Sequence, residues 1–394
     1  MQVAESDVLS AIKFSQSGEY LALGDNGGRV IIFKRSASSS TSSKHASSRY
    51  FDYKYLTEIQ SHEPEFDCLK SIELDEKINA VEFLRDNHAY NSCLNESKPS
   101  VSFLSTNDRV IKLWKVDYRV QKQTSRAHFL GDHLFLPKSN VIGEGYFAKE
   151  KYQYRGCHNY NVNSISLAQD GEIFLSADDL RINMWNIENN TVAFNIVDLK
   201  PGQIEELSEV ITHVEFHPVR SDIFVYSSSK GYISCCDLRI NSNSESFSTR
   251  FQIEEEPSRK HFFTDIINSV SRAKFSPMDP NFLFSRDYIA VHIWDIRYTK
   301  TPTKTLNVTD YLEKKLCEVY ENETIFDKFD LQISPDSTQI LTGAYNSSAH
   351  VIDVQSGSNC AIDVRFMDKR GKGVGSYRQY RGRRIQPSQP LTPE

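Results

Sequence analysis

Three stretches of this chain alternate apolar and polar residues at period two and carry a tryptophan at the same place. They are Val110-Ile-Lys-Leu-Trp114-Lys-Val116, Arg181-Ile-Asn-Met-Trp185-Asn-Ile187 and Ala290-Val-His-Ile-Trp294-Asp-Ile296. Such alternation is what a half-buried strand requires, because successive side chains point to opposite faces of a sheet. Upstream of each lies a second strand that runs into a turn, at residues 103–108, 174–179 and 282–287. Further upstream is a third, at 78–83, 162–167 and 270–275. Weaker copies of the same triplet start at Leu9, Ile211 and Phe326, so the unit recurs six times.

A four-stranded unit cannot bury both of its faces alone, whereas units stacked around an axis can. The pattern therefore predicts an all-β propeller with blades at about 8–35, 78–116, 162–188, 211–239, 267–297 and 326–357. Successive tryptophan positions lie farther apart than the roughly 40–45 residues a blade needs, so each blade carries an insertion. The Ser-rich run at 36–50 reads as disordered. Residues 117–160 are different, with Leu134, Phe135, Leu136, Val141, Ile142, Tyr146 and Phe147 among them. So long an apolar-bearing insertion has structure of its own, and it is read as a projecting hairpin.

Composition narrows the class. The 394 residues are 39% hydrophobic and 25% charged, as in a soluble globular chain. There is no apolar run of about 18 residues that would span a membrane, and the polar, acidic start at residues 1–7 does not read as a signal peptide. Seven scattered cysteines read as reduced thiols of a cytoplasmic protein, with the nucleus as a second compartment. Net charge is −6, but residues 365–384 hold eight basic residues against one acid. The remaining body is therefore acidic and attracts basic partner surfaces. Residues 358–394 form a basic, Pro-rich tail without strand pattern, read as disordered.

Catalytic and metal chemistry find little support. No HExxH, CxxC, GxSxG or GxxxxGK[ST] motif occurs, which sets aside the corresponding hydrolase, redox and nucleotide sites. The glycines between Gly24 and Gly28 bridge two strands and precede no helix, so they read as a tight turn and not a phosphate cradle. Asp178 and Asp179 could serve as acid and base, but their place in a repeat turn favours a structural or docking role. Cys235 and Cys236 are adjacent and so fall on opposite strand faces, which reads as core thiols and not a metal site. The Arg/Gly/Tyr run at 370–384 has the composition of a nucleic-acid-binding tail. A disordered tail is the preferred reading, and RNA binding is kept as an alternative.

Several runs are more specific than the repeat itself: residues 105–115, 175–185 and 194–198, Glu215-Phe-His-Pro218, Tyr226-Ser-Ser-Ser-Lys-Gly231, Ser61-His-Glu-Pro-Glu-Phe-Asp67, Arg286-Asp-Tyr288, Tyr320-Glu-Asn322 and Ile325-Phe-Asp-Lys-Phe329. Across residues 8 to 357 the chain resembles the regulatory B subunits (55-kilodalton class) of protein phosphatase 2A. The resemblance implies a WD-repeat β-propeller, six recognisable blades of a seven-blade family architecture. It implies as partners the phosphatase scaffold (A) subunit, the catalytic (C) subunit and phosphoprotein substrates with basic amphipathic motifs, with no cofactor or metal and no membrane. Substrate docking would fall to Asp179, Glu205, Glu206, Leu207, Phe262, Phe263, Tyr320, Phe326 and Lys328. The scaffold would be held by a hairpin at about 126–157, with Leu134, Phe135 and Leu136, and by the nearby 61–69 loop, with Glu63, Glu65 and Phe66. The family's closing repeat and its short N-terminal strand are not legible here, so either the ring shrinks to six blades or a seven-blade ring is left with a gap, and the gap is the expectation. A generic WD-repeat interaction platform is the bland alternative.

Overall fold

In the computed structural model, residues 5–37, 51–68, 71–85, 100–124, 128–130, 133–135, 139–240, 247–253, 262–345 and 347–363 are described. Their alternating segments pair into six four-stranded sheets, the blades of an all-β WD-repeat β-propeller. Blade 1 comprises Leu9–Phe14, Tyr20–Asp25, Arg29–Ala37 and Phe51–Gln60; blade 2 comprises Ala80–Phe83, Val101–Thr106, Ile111–Thr124 and Ser139–Tyr154. Blade 3 has Ser164–Leu167, Ile173–Ala177, Arg181–Asn186 and Ala193–Asp198; blade 4 has Ile211–Phe216, Ile223–Ser228, Tyr232–Asp237 and Ser248–Gln252. Blade 5 is built from Arg272–Phe275, Phe282–Arg286, Ala290–Asp295 and Lys304–Asn307, and blade 6 from Leu331–Ile333, Gln339–Ala344, Ser348–Asp353 and Asn359–Asp363.

Two details differ from the periodic reading. The strand expected at 326–331 in the last blade is a 3-10 turn, Thr324–Phe326, followed by an extended approach to Leu331. Ile325 in that turn is buried while Phe326 is exposed, so the apolar residues serve a turn and not a sheet face. In blade 1 the outermost strand, Phe51–Gln60, comes after the Ser-rich insertion, most of which, with the tail from 364 onward, lies outside the described residues.

The chain divides into two compact units: residues 1–228 with 234–249, and residues 229–233 with 250–394. In the first, neighbouring blades are joined by a repeated pair of hydrogen bonds. The N–H groups of Ile78, Val162 and Ile211 donate to the carbonyls of Asp25, Asp108 and Asp179 of the preceding blade, at 3.1, 2.9 and 2.8 Å. In return, Ser10 Oγ, Asn79 Nδ2 and Asn163 Nδ2 donate to the carbonyls of the same Ile78, Val162 and Ile211, at 2.6, 3.1 and 2.8 Å. Between the sheets Tyr20, Ala22, Ile32, Phe83 and Phe103 form one apolar core, and Leu104, Tyr154, Ile165, Phe174 and Trp185 form the next. In the second unit Phe284, Val291, Leu306, Leu331, Ile340 and Ile352 fill the space between blades 5 and 6.

The tryptophans are anchored as well as buried. Trp185 Nε1 donates to Ser176 Oγ at 2.9 Å, and Ser176 Oγ lies 2.6 Å from His158 Nε2. His158 Nδ1 is 2.9 Å from Asp178 Oδ2. The network is satisfied when Ser176 donates to Nε2 and neutral His158 donates from Nδ1 to the carboxylate. Asp178 Oδ1 also accepts the N–H groups of Leu180 and Arg181. Burial pushes this carboxyl up, but the hydrogen bonds from His158 and from the turn outweigh it and hold the group below the usual carboxylate range. In blade 5 Trp294 donates to Ser285 Oγ at 2.9 Å, and Asp287 accepts from Ile289 and Ala290. In blade 2 Trp114 reaches Ser61 Oγ at 2.9 Å.

Candidate docking surface

The pairing that joins the blades also sets the carboxylates of the first unit. Asp179 follows buried Asp178 in the turn between the second and third strands of blade 3, and its carbonyl is held by the N–H of Ile211. Its half-buried side chain lines a depression of about 380 Å³ together with Asp75, Asp108 and Lys77. Asn79 and Asn163, the residues that join the blades, form part of the same wall. Asp108 occupies in blade 2 the turn position that Asp179 holds in blade 3, since Asn107 Oδ1 there takes the N–H groups of Arg109 and Val110. Overlaying the repeats would have found Asp108. Glu205 and Glu206 stand exposed on a 3-10 turn, Ile204–Glu206, in the loop between blades 3 and 4, and Leu207 follows with 37% exposure.

In the second unit the structure brings four of the sequence-derived residues together. Phe262 and Phe263 rings lie 5.1 Å apart, each lies within 5.7 Å of the Tyr320 ring, and Tyr320 is 6.4 Å from Phe326. The contacts between Phe262, Phe263 and Tyr320 are edge-to-face, the arrangement aromatic quadrupoles favour. Local structure explains the meeting. Phe263 packs on a buried base of Tyr288, Leu312, Leu316 and Ile325, which fixes the short helix Thr264–Asn268 against the helical segment Leu316–Glu321. Glu323, at φ 58°, then turns the chain sharply, with its N–H on the Tyr320 carbonyl, and returns Phe326 beside Tyr320. The base is dry, while Phe262 and Phe326 are 73% and 61% exposed. Glu318, Glu321, Glu323 and Asp327 are exposed and flank Tyr320 and Phe326 along the chain, as do exposed Lys315 and Lys328.

Blade 2 carries the arm. Ile111–Thr124 and Ser139–Tyr154 pair from Tyr154↔Ile111 out to Ser139↔Thr124, whereas the adjacent strand Val101–Thr106 accompanies them only as far as Val116. Beyond Val116 the two strands run on paired to each other for about 25 Å at ~3.3 Å per residue, with Tyr146 near the base still packed against the core between blades 1 and 2. Near its tip His128–Leu130 pairs with His133–Phe135, the strand that contains Leu134 and Phe135. Leu136 lies outside the described residues. At the base of the arm Arg155 contacts Glu65 at 3.2 Å, so the 61–67 loop is tied to it. Glu63 and Phe66 on that loop are exposed, Phe66 by 59%.

The groups weighed for catalysis or metal binding have other occupations. Asp178 is sequestered in the Trp185 network. Cys236 is buried and Cys235 half-buried on the opposite face, and burial pushes the Cys235 thiol up to about 11. Among the described residues no group of three His, Cys, Asp or Glu side chains is arranged to hold a metal ion, and no helix is long and apolar enough to cross a membrane.

Comparison with known proteins places the chain in a family. The "WD domain, G-beta repeat" family model matches residues 149–186. The Caenorhabditis elegans "Serine/threonine-protein phosphatase 2A regulatory subunit sur-6" is 44% identical over 361 residues, covering 87% of this chain and 69% of that protein. The Drosophila melanogaster "Protein phosphatase PP2A 55 kDa regulatory subunit" is 40% identical over 372 residues, with 92% of this chain and 72% of that protein covered. One of the regulatory B subunits of protein phosphatase PP2A, from Candida tropicalis, is 42% identical over 88% of this chain, which spans 66% of that protein. With its WD-type blades and this similarity along most of its length, the chain belongs to the 55 kDa class of the regulatory B subunits of protein phosphatase 2A.

Proposed function

We propose that the chain is the substrate-selecting regulatory subunit of a protein phosphatase 2A holoenzyme. It binds the scaffold subunit and presents phosphoprotein substrates to the catalytic subunit, which carries the chemistry. The observation that carries this reading is the cluster of Phe262, Phe263, Tyr320 and Phe326, partly exposed yet built on a buried apolar base, in segments that carry the exposed carboxylates Glu318, Glu321, Glu323 and Asp327. Aromatic anchors of this kind supply most of the energy of a docked peptide, and the charges around them steer and orient it. A basic amphipathic segment is the complementary ligand. Asp179, Glu205 and Glu206 add the same polarity in the first unit, with Leu207 as an apolar contact. The arm of blade 2, with Leu134 and Phe135, and the loop with Glu63, Glu65 and Phe66 are proposed for the scaffold.

The test separates the two surfaces. Asp179→Lys is expected to abolish dephosphorylation of a basic phosphoprotein substrate by the reconstituted holoenzyme while the scaffold is still bound. Loss of both properties together, in a folded protein, would sink the idea of a separate docking surface.

A further inference from the structure

The basic tail and the acidic aromatic cluster have opposite chemistry on one chain. Residues 365–384 contain eight basic residues against one acid, with Phe366, Met367, Tyr377 and Tyr380 interspersed. The cluster in the second unit exposes Phe262 and Phe326, and among the described residues of these segments the exposed carboxylates of Asp265, Glu318, Glu321, Glu323 and Asp327 outnumber Lys315 and Lys328. The last strand of blade 6, Asn359–Asp363, belongs to the same unit and leads directly into the tail.

We propose that residues 364–394 dock on the Phe262–Tyr320–Phe326 surface of their own chain and act as a tethered pseudosubstrate. This rests on the reading of that surface as a docking site for basic amphipathic segments. The tail has the composition such a site selects, and tethering supplies it at high local concentration. A flexible chain of this length has a root-mean-square span of about 30 Å, comparable with the ~40 Å width expected for a compact unit of this size. The effective concentration is then on the order of 1 mM, so even weak intrinsic affinity keeps the surface occupied. Incoming substrates must displace the tail, and substrates with fewer basic residues are screened out. Because the attraction is between exposed charges, it weakens with salt.

The test uses the 394-residue chain and a variant carrying Arg378→Glu, Arg381→Glu, Arg383→Glu and Arg384→Glu, changes outside the six described sheets. Thermal unfolding should be the same for both. In hydrogen–deuterium exchange, residues 262–268 and 316–328 should exchange at least ~3-fold faster in the variant at low salt. A fluorescent synthetic peptide of residues 364–394 should bind the variant at least ~5-fold more tightly than the wild type, whose own tail competes. Equal exchange in the two proteins, equal peptide affinity, or no peptide binding to either overturns the proposal; a tail that serves nucleic acid gives that result. Neither measurement uses a phosphatase substrate. Failure of the docking reading would therefore appear separately, as a holoenzyme indifferent to Phe262→Ala.

Discussion

Asp178 and Asp179 are consecutive residues with opposite surroundings. Asp178 is fully buried and holds His158 Nδ1 at 2.9 Å, whereas Asp179 opens onto the depression shared with Asp75 and Asp108. The turn itself produces the division, because its first carboxylate takes the N–H groups of Leu180 and Arg181 and so directs the second outward. One residue therefore serves the fold, and the next is the one proposed for recognition.

Replacing the two residues separately shows the difference. Asp178→Ala leaves His158 and two turn N–H groups short of a partner in a buried site, and should cost about 3 kcal/mol of stability. Asp179→Ala should cost less than ~0.5 kcal/mol. Denaturant unfolding of the two variants checks this; equal losses would contradict it.

His62 makes the first unit acid-sensitive. Burial, reinforced by the charges of Lys112 and Arg155, lowers its pKa from 6.5 to about 3, so the ring is neutral when folded. An unfolded chain binds a proton there more readily, so the stabilising contribution is complete above pH 6.5 and is lost progressively as pH falls towards 3. The His62→Gln variant should show a flatter fall in unfolding free energy across that window. Parallel profiles would rule the residue out as the cause.

The connection between blades 2 and 3 offers a second stability test. Asn79 Nδ2 reaches both Asp108 Oδ1, at 2.8 Å, and the Val162 carbonyl. Asn79→Ala should cost about 1–2 kcal/mol and raise amide exchange at Val162, while Asn195→Ala, on an exposed outer strand, should be nearly neutral.

Gly28 stands where a side chain cannot. Its φ is +78°, and a Cβ would come within 2.2 Å of the His62 carbonyl oxygen. Gly28→Ala should destabilise the protein by at least about 2 kcal/mol, through backbone strain and displacement of the 61–67 loop. Lower thermal midpoint with weaker scaffold binding is the expected pair of results.

These residues also show what the chain makes legible. Strand alternation around Trp114, Trp185 and Trp294 revealed six repeats because one sheet face must be buried wherever a blade stacks on another. The serines that hold Trp185 and Trp294, Ser176 and Ser285, lie on the neighbouring strand of the same repeat, whereas Ser61, which holds Trp114, and His158, which backs Ser176, come from preceding loops that only the fold brings there. The arm was visible as an apolar insertion, but not that its returning strand, Ser139–Tyr154, completes blade 2, because the pairing in the arm and in the blade is one continuous ladder. Phe262 and Tyr320 were singled out by family resemblance alone. Their contact depends on the buried base under Phe263 and on the left-handed turn at Glu323, neither of which leaves a periodic signal.

Phe262 is exposed enough to be removed without harm to the fold. Phe262→Ala should leave the thermal midpoint within about 1 °C and preserve holoenzyme assembly, while raising the KM for a basic phosphoprotein substrate by ~10–50-fold, the loss of one aromatic anchor.

Reconstitution with the scaffold and catalytic subunits of protein phosphatase 2A, read by size-exclusion chromatography, tests the central claim most directly. A stoichiometric ternary complex that dephosphorylates a basic phosphoprotein faster than the scaffold–catalytic pair alone is the result predicted. A folded, monodisperse chain that elutes apart from both subunits would contradict it.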